Sequence, residues 1–488
     1  MKVAYIGNTC NNSYSFLKMF RKYGTQGVLY YDQSQHPQTF PESEDPGLLK
    51  ENPSWLKPLT NGDLGSHPWH SPSFKLLEEL KTFDVLHCED VGLLWAQQSG
   101  RPYHWHVYGY DLHNYSFWSY WLTTYTFEHF VAYPEKLTAA IRYRRAISQA
   151  NSVNVGQWFP YRKKAIDLLR KILPEDRVSH LLFTIDTEKF CPGTTEGMAE
   201  LLRKTGNNIQ VKGLKIFHPT RIMFQSKKEY NYASDKLVRV LRKFTETGRE
   251  FTLVVIKKEN PDEEAFVKLV QELGLEGRVA YIPFQPRNKM IAWYRASDLV
   301  TNEFDFGSIG SISLETLACG TALMTAYRTE HDDPNFFMPD FDCAPPVFSA
   351  NSETDVLNKL ILCADNPVLR KQKAIEGRAW VLRNCSDAAL FSRYMSIYQS
   401  CIRNHPVVTE TLYFDEPTSK ELQRINNKIS GNDLNTALHE TALALDKYAE
   451  SPILLFILET ILEKLGFKNL AFFLREQLDD LNIEVRAA

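Results

Sequence analysis

Short apolar runs that close on a glycine or a polar turn, each followed by a stretch of helical periodicity, recur in two separate blocks of this chain. That repeated grammar constrains the fold more than any other feature. In the first block Val3-Ala4-Tyr5-Ile6 ends in Gly7-Asn8, apolar residues between Ser15 and Tyr23 repeat at helical spacing up to Gly24, and Val28-Leu29-Tyr30-Tyr31 follows. Strand, turn, helix and strand in that order begin a parallel βαβ sheet. Asp84 to His87 and Pro102 to Val107 read as further strands whose ends carry polar residues, and strand ends form the ligand crevice of open α/β sheets. Residues from about Pro37 to Pro72, rich in Pro, Ser, Asp and His, show no sustained period and read as a long excursion over the surface.

The second block restarts at Leu214 to Phe217 and continues through Phe251 to Ile256, Val279 to Ile282 and Asp298 to Thr301, with amphipathic helices at Lys236 to Phe244 and Glu263 to Leu273. A length of 488 residues exceeds one ordinary core and suits two α/β domains with an appendage. The expected divisions are 1–195, 196–385, a crossover helix at 386–406, and an all-α extension at 407–488. In the extension, helices at Asn435 to Tyr448, Ile453 to Leu465 and Asn469 to Leu481 carry a strong apolar stripe and are similar to part of a tetratricopeptide hairpin. They are expected to cap the second domain or to dock a protein partner.

A formal net charge of −3 provides no field to draw nucleic acid. The eight cysteines are scattered, with no CxxC pair, which fits a reducing compartment. The start, MKVAYIGNTC, has no secretory pattern, so the expected location is cytoplasmic, with peripheral attachment to the inner face of a membrane left open.

The segment Glu303 to Thr321 carries the chemistry. A strand ends, a turn containing Gly307 and Gly310 follows, and a helix opens that carries Glu315 and closes at Gly320. Backbone amides of Gly307, Ser308, Ile309, Gly310 and Ser311 can approach phosphate oxygens closely, and the helix N-terminus adds positive partial charge. A carboxylate about one turn into that helix can accept hydrogen bonds from both hydroxyls of a ribose. The run Tyr115 to Phe127 is unusually aromatic and suits either core packing or contact with an acceptor or a membrane.

At these residues the chain resembles glycosyltransferase family 4, the retaining GT-B enzymes. Asp186 to Pro192 is similar to the family's interdomain segment, His218-Pro219-Thr220-Arg221 with Lys227 and Lys228 to its phosphate-binding pair, and Leu273 to Val279 to its approach to the base pocket. The resemblance implies an α/β GT-B fold, two Rossmann-like doubly wound domains facing a cleft, and a metal-independent transfer without cofactor. The donor would be a nucleotide-diphosphate sugar of UDP or GDP type, and the acceptor a glycan, a lipid-linked molecule or a protein, in bacterial cell-envelope or surface glycan synthesis. It implies that Arg221 and Lys227 or Lys228 stabilise the departing diphosphate, a place where fixed cations act on the transition state. Backbone near Pro283 and Phe284 would meet the base.

In the first domain, Tyr103 to Leu112 is similar to the family's strand-end segment, with Gly109 and Asp111 aligned and Tyr108 where relatives carry histidine. His106 and Asp111 are then the candidates facing the transferred sugar, and Asn8 lies in the turn bordering donor and acceptor. The pattern is broken at Gly307, where the family's first glutamate belongs; Glu303 or Asp305 could compensate. The competing reading is a catalytically inactive GT-B-like protein that binds through its helical tail, to a membrane or a protein.

Overall fold

The computed structural model describes residues 1–33, 40–59, 73–108, 111–156, 163–225, 232–257, 262–305, 307, 309–327, 340–406, 417–448 and 451–480. A seven-stranded sheet has the order β3-β2-β1-β4-β5-β6-β7, formed by β1 Lys2–Ile6, β2 Gln26–Asp32, β3 Leu56–Leu59, β4 Val85–Cys88, β5 Tyr103–Val107, β6 Ser152–Val155 and β7 Val178–Ser179. A six-stranded sheet, β10-β9-β8-β11-β12-β13, follows from β8 Leu214–His218, β9 Phe251–Ile256, β10 Val279–Ile282, β11 Leu299–Thr301, β12 Leu323–Thr325 and β13 Phe348–Ser349. All recorded pairings are parallel. Helices cover both faces, which is why β5 and β9 are buried at every position and read as unbroken apolar or aromatic runs.

The chain crosses between the domains twice, side by side. Ile185 bridges Ser386 in parallel, and the Thr184 hydroxyl donates to Asp387 at 2.8 Å. After the second crossing, helix Asp387–Arg403 returns to the first domain, where Leu390, Tyr394 and Tyr398 pack with Tyr5, Phe16 and Phe20.

Two expectations are corrected. The stretch after Pro37 is not wholly a surface excursion: it contains helix Pro41–Glu44, with Glu44 buried, and β3, which extends the sheet. Its elements are four residues long, too short for a period to declare itself. The helical extension packs on the first domain, not the second. Its helices Ser419–Ser430, Leu434–Lys447, Pro452–Lys464 and Lys468–Asp480 share one core with Trp118, Trp121, Phe130 and Leu137.

The aromatic run is thus chiefly a docking face for this tail. Phe127 stacks near Phe467 at 4.4 Å, and Trp118 and Trp121 are fully buried. Asp446 from the tail supplies what helix Trp118–Thr124 lacks at its N-terminus: no local side chain caps it, and Asp446 accepts from the amides of Trp118 at 2.6 Å and Ser119 at 3.3 Å. The same carboxylate lies 3.7 Å from the buried guanidinium of Arg144. Replacing Asp446 by Ala leaves that buried cation with carbonyl partners alone, at Ser116 and Leu445, and uncaps two helix amides. The expected loss is about 3–5 kcal/mol in urea unfolding, and deletion of 417–488 should give aggregation because the tryptophans become exposed.

Candidate functional site

Gly310 occupies the N-cap of helix Ser311–Ala318, so no side chain there competes for the first amides. Glu315 lies in the second turn, 4 % exposed. One carboxylate oxygen accepts from the Tyr294 hydroxyl at 2.8 Å and the other from Arg287 Nε at 2.7 Å. Arg287 begins helix Arg287–Ala296, and Tyr294, two turns on, shares its face.

Arg287 also reaches the opposite domain. It donates to Glu44 Oε2 at 2.9 Å and lies over the Phe190 ring at 5.3 Å. Ser15 Oγ is 3.4 Å away, which puts the first helix of the chain at this bridge. Glu44 is in turn met by Lys18, by Lys189 at 3.7 Å, and by the Asn11 amide at 3.0 Å. Burial works against ionising Glu44, but the charges of Arg287, Lys18 and Lys189 outweigh it and hold the carboxyl at about 2. The two acids flanking Arg287 hold that guanidinium protonated against its own burial.

The turn before the donor helix folds around Glu303. This side chain is 2 % exposed and accepts from the amides of Asp305 at 2.8 Å and Gly307 at 3.0 Å, so the Gly307 amide is committed inside the turn rather than offered to a ligand. Gly307 has φ 79°, a left-handed backbone that only glycine adopts without strain; conformation accounts for the glycine here. Asp305 is exposed. Ile309 is fully buried in the domain core, while Gly310 and Ser311 start the helix.

Thr220, Asn302 and Ser313 form a hydrogen-bonded chain that ties the end of β8 to the helix start, with Asn302 donating to Ser313 at 3.0 Å. Arg221 therefore follows directly on the residue tied to the start of helix Ser311–Ala318, and it is exposed. Lys227, Lys228, Ser308 and Gly109 lie outside the described residues. Pro283 and Phe284 are exposed at the end of β10, Phe284 by 42 %. Asp340 and Asp342, whose Asp-Phe-Asp spacing could suggest a metal-binding pair, are instead tied to Arg393 at 3.0 Å and Arg383 at 2.6 Å.

On the first-domain side, His104, His106 and Tyr108 share a face, as strand alternation predicts, and the His106 and Tyr108 rings stack at 4.5 Å. His106 is nevertheless not placed to donate to a sugar. The Asn154 amide donates to its Nε2 at 3.1 Å, and Asn154 is itself fixed because its oxygen accepts from the Leu181 amide at 2.9 Å. Its Nδ1 lies 3.5 Å from the Tyr394 hydroxyl. Burial, followed by His104, pushes its basicity well down, so His106 is a neutral core residue. Asp111 caps its own turn, accepting from Leu112 N at 3.0 Å and Tyr108 N at 3.4 Å. Asn8 likewise caps, accepting from Tyr14 N at 3.0 Å and donating to Asn11 at 2.8 Å.

Arg287, Tyr294 and Glu44 escaped sequence reasoning. Arg287 and Tyr294 had a signal, their seven-residue spacing on one helix. Glu44 had none.

Residues 214–329 match the family model described as Glycosyl transferases group 1. The D-inositol 3-phosphate glycosyltransferase of Rhodococcus jostii is 32% identical over 100 residues, 19% of this chain and 22% of that protein. Its counterpart in Mycolicibacterium smegmatis is 38% identical over 63 residues, 13% and 14% of the two chains. The chain therefore spans less than a quarter of these curated relatives. Among solved structures, HepE of Anabaena in complex with UDP and glucose superposes with TM-score 0.54 at 15% identity, covering 82% of this chain and 100% of that one. A glycosyltransferase from Rickettsia africae does so with TM-score 0.53 at 14% identity, over 83% and 99%. The match to the group 1 glycosyl transferase model thus falls within the second domain, and the two sheets have the GT-B architecture.

Because the Glu44 carboxyl is held below its free value, its contribution to stability is present above about pH 4.5 and is lost as pH falls toward 2. The lowering corresponds to about 3 kcal/mol. Urea unfolding between pH 2.5 and 7 should show that acid limb, and Glu44→Gln should flatten it.

Proposed function

We propose that this GT-B chain is a retaining glycosyltransferase that moves a sugar from a nucleotide-diphosphate donor to a glycan, lipid-linked or protein acceptor, in bacterial cell-envelope or surface glycan synthesis. The observation that carries this reading is Glu315, a buried carboxylate in the second turn of a helix capped by glycine, with its oxygens oriented by Tyr294 and Arg287 at the meeting of the two domains. Each carboxylate oxygen has a second lone pair, so the ribose hydroxyls can add to the existing contacts. The diphosphate then lies toward the helix N-terminus, where its charge is favoured.

In the reaction the bond from the anomeric carbon to the diphosphate oxygen breaks, the acceptor hydroxyl oxygen bonds that carbon and gives up its proton, and the nucleoside diphosphate leaves. Arg221, exposed beside the helix start, is the described cation suited to the departing charge; Lys227 or Lys228 would complete the pair. No metal or cofactor is assigned to the step. Interdomain contacts through Glu44 and Arg287 exclude water, which would otherwise compete with the acceptor. UDP-glucose is the first donor to try, since HepE, of the same architecture, was crystallised with UDP and glucose.

Calorimetry with UDP, GDP and ADP tests this reading. One of them should bind wild-type protein, and Glu315→Ala should weaken that binding about 100-fold, the loss of two hydrogen bonds to a charged group. Arg221→Ala should lower turnover more than affinity, and chelation should leave turnover unchanged. Absence of binding by all three nucleotides would overturn the enzyme and favour a binding protein acting through its tail.

A further inference from the structure

Glu89 follows β4 and is completely buried. Its Oε2 accepts from the Thr9 amide at 2.6 Å, and its Oε1 lies 2.5 Å from the Ser13 hydroxyl. The turn it touches is strained: Cys10 and Asn11 have φ of 53° and 64°, left-handed values that non-glycine residues adopt at a cost. Gly7, with φ 97°, presses against Glu89 so closely that a Cβ there would lie 3.2 Å from the Glu89 Cβ and carbonyl oxygen. From this turn Asn11 donates to Glu44 at 3.0 Å, and Glu44 meets Arg287 and, through it, Glu315. The turn therefore stands between Glu89 and the interdomain bridge, on the cleft side of the first domain.

We propose that Glu89 is a positioning residue of the cleft, holding the Thr9 to Asn11 turn and Tyr108 in the arrangement that receives the transferred sugar, and that it does so as a protonated acid. The groups facing it are Ser13 and Thr9 from the turn, Cys88 from its own strand, Tyr108 from the end of β5 and Tyr394 from the crossover helix, none of them cationic. Among the described residues a carboxylate here has no counter-charge, whereas a carboxylic acid can turn the Ser13 contact round, donating its proton to the hydroxyl oxygen, and still accept from Thr9. Burial pushes its titration up to about 8, with the Ser13 and Thr9 contacts opposing. Asp90, the next residue, is raised to about 7 by burial and by the charge of Asp111.

The kinetic part rests on the glycosyl-transfer reading; the protonation does not. Infrared difference spectra of the full chain at pH 7, wild type minus Glu89→Gln, should contain a protonated-carboxyl band. With UDP-glucose as donor, wild-type turnover should fall about tenfold per pH unit above 8. Glu89→Gln, a neutral isostere, should retain at least a third of the rate at pH 7 and lose that alkaline fall, so the Asp90 titration is separated from it. Glu89→Ala should lower kcat by about 10–100-fold with the UDP Kd within twofold of wild type, since the nucleotide contacts lie on the other domain. Glu89→Gln as impaired as Glu89→Ala, or a difference spectrum without that band, would overturn the assignment alone. Wild-type protein that binds no nucleotide and turns over no donor would overturn the transfer reading, and with it the positioning role, while the infrared result still decides whether Glu89 carries the proton.

Discussion

A single guanidinium shared by two carboxylates joins the halves of this molecule. Arg287 belongs to the second domain, as does Glu315 at 2.7 Å, while Glu44, at 2.9 Å, belongs to the first. A buried ion pair gains little when each charge must leave water for one partner. Here the desolvation is divided: Glu44 is also served by Lys18 and Lys189, Glu315 by the Tyr294 hydroxyl, and Arg287 by the face of Phe190. The arrangement therefore favours the charged forms of Glu44 and Arg287 and specifies how the two sheets face each other, because no other described pair combines these partners across the cleft.

That bridge also fixes what the donor carboxylate can do. Glu315 is not a loose side chain: Arg287 and Tyr294 already orient it, so the nucleotide proposed above would bind at a low ordering cost. The same preorganisation appears in the turn ahead of it, where Glu303 gathers the amides of Asp305 and Gly307. Gly307 replaces the acid expected from family resemblance, and Glu303, four residues earlier, supplies a buried carboxylate to this turn, but aimed at backbone.

Much of the fold was legible because strands buried on both faces produce unbroken apolar runs, as in β9 and β10, and because glycine marks the ends of the intervening helices. Glu315 was legible for the same local reason: a turn, a helix start and an acid in sequence order. What failed to show was long-range. Strand alternation correctly placed His106 on a face with Tyr108, yet could not tell that Asn154, 48 residues on, would occupy its nitrogen. The apolar stripe of the tail declared that it packs, not upon what; the partner surface was the aromatic run, and the specific cue, Asp446 capping helix Trp118–Thr124, joins residues 328 apart. Glu44 sits in a four-residue helix whose neighbours carry no period.

The tail and the crossover helix together give the first domain a core assembled from both ends of the chain, whereas the second domain is built from one continuous stretch. During synthesis this imposes an order. Residues 214–380 can close their two core clusters largely among themselves as they leave the ribosome. The earlier-made half must wait, with Trp118 and Trp121 uncovered, until Leu445 and Leu458 emerge on the order of tens of seconds later. The N-terminal half of this protein is thus the last to mature, and a chaperone that shelters one aromatic face for that interval would meet its whole requirement.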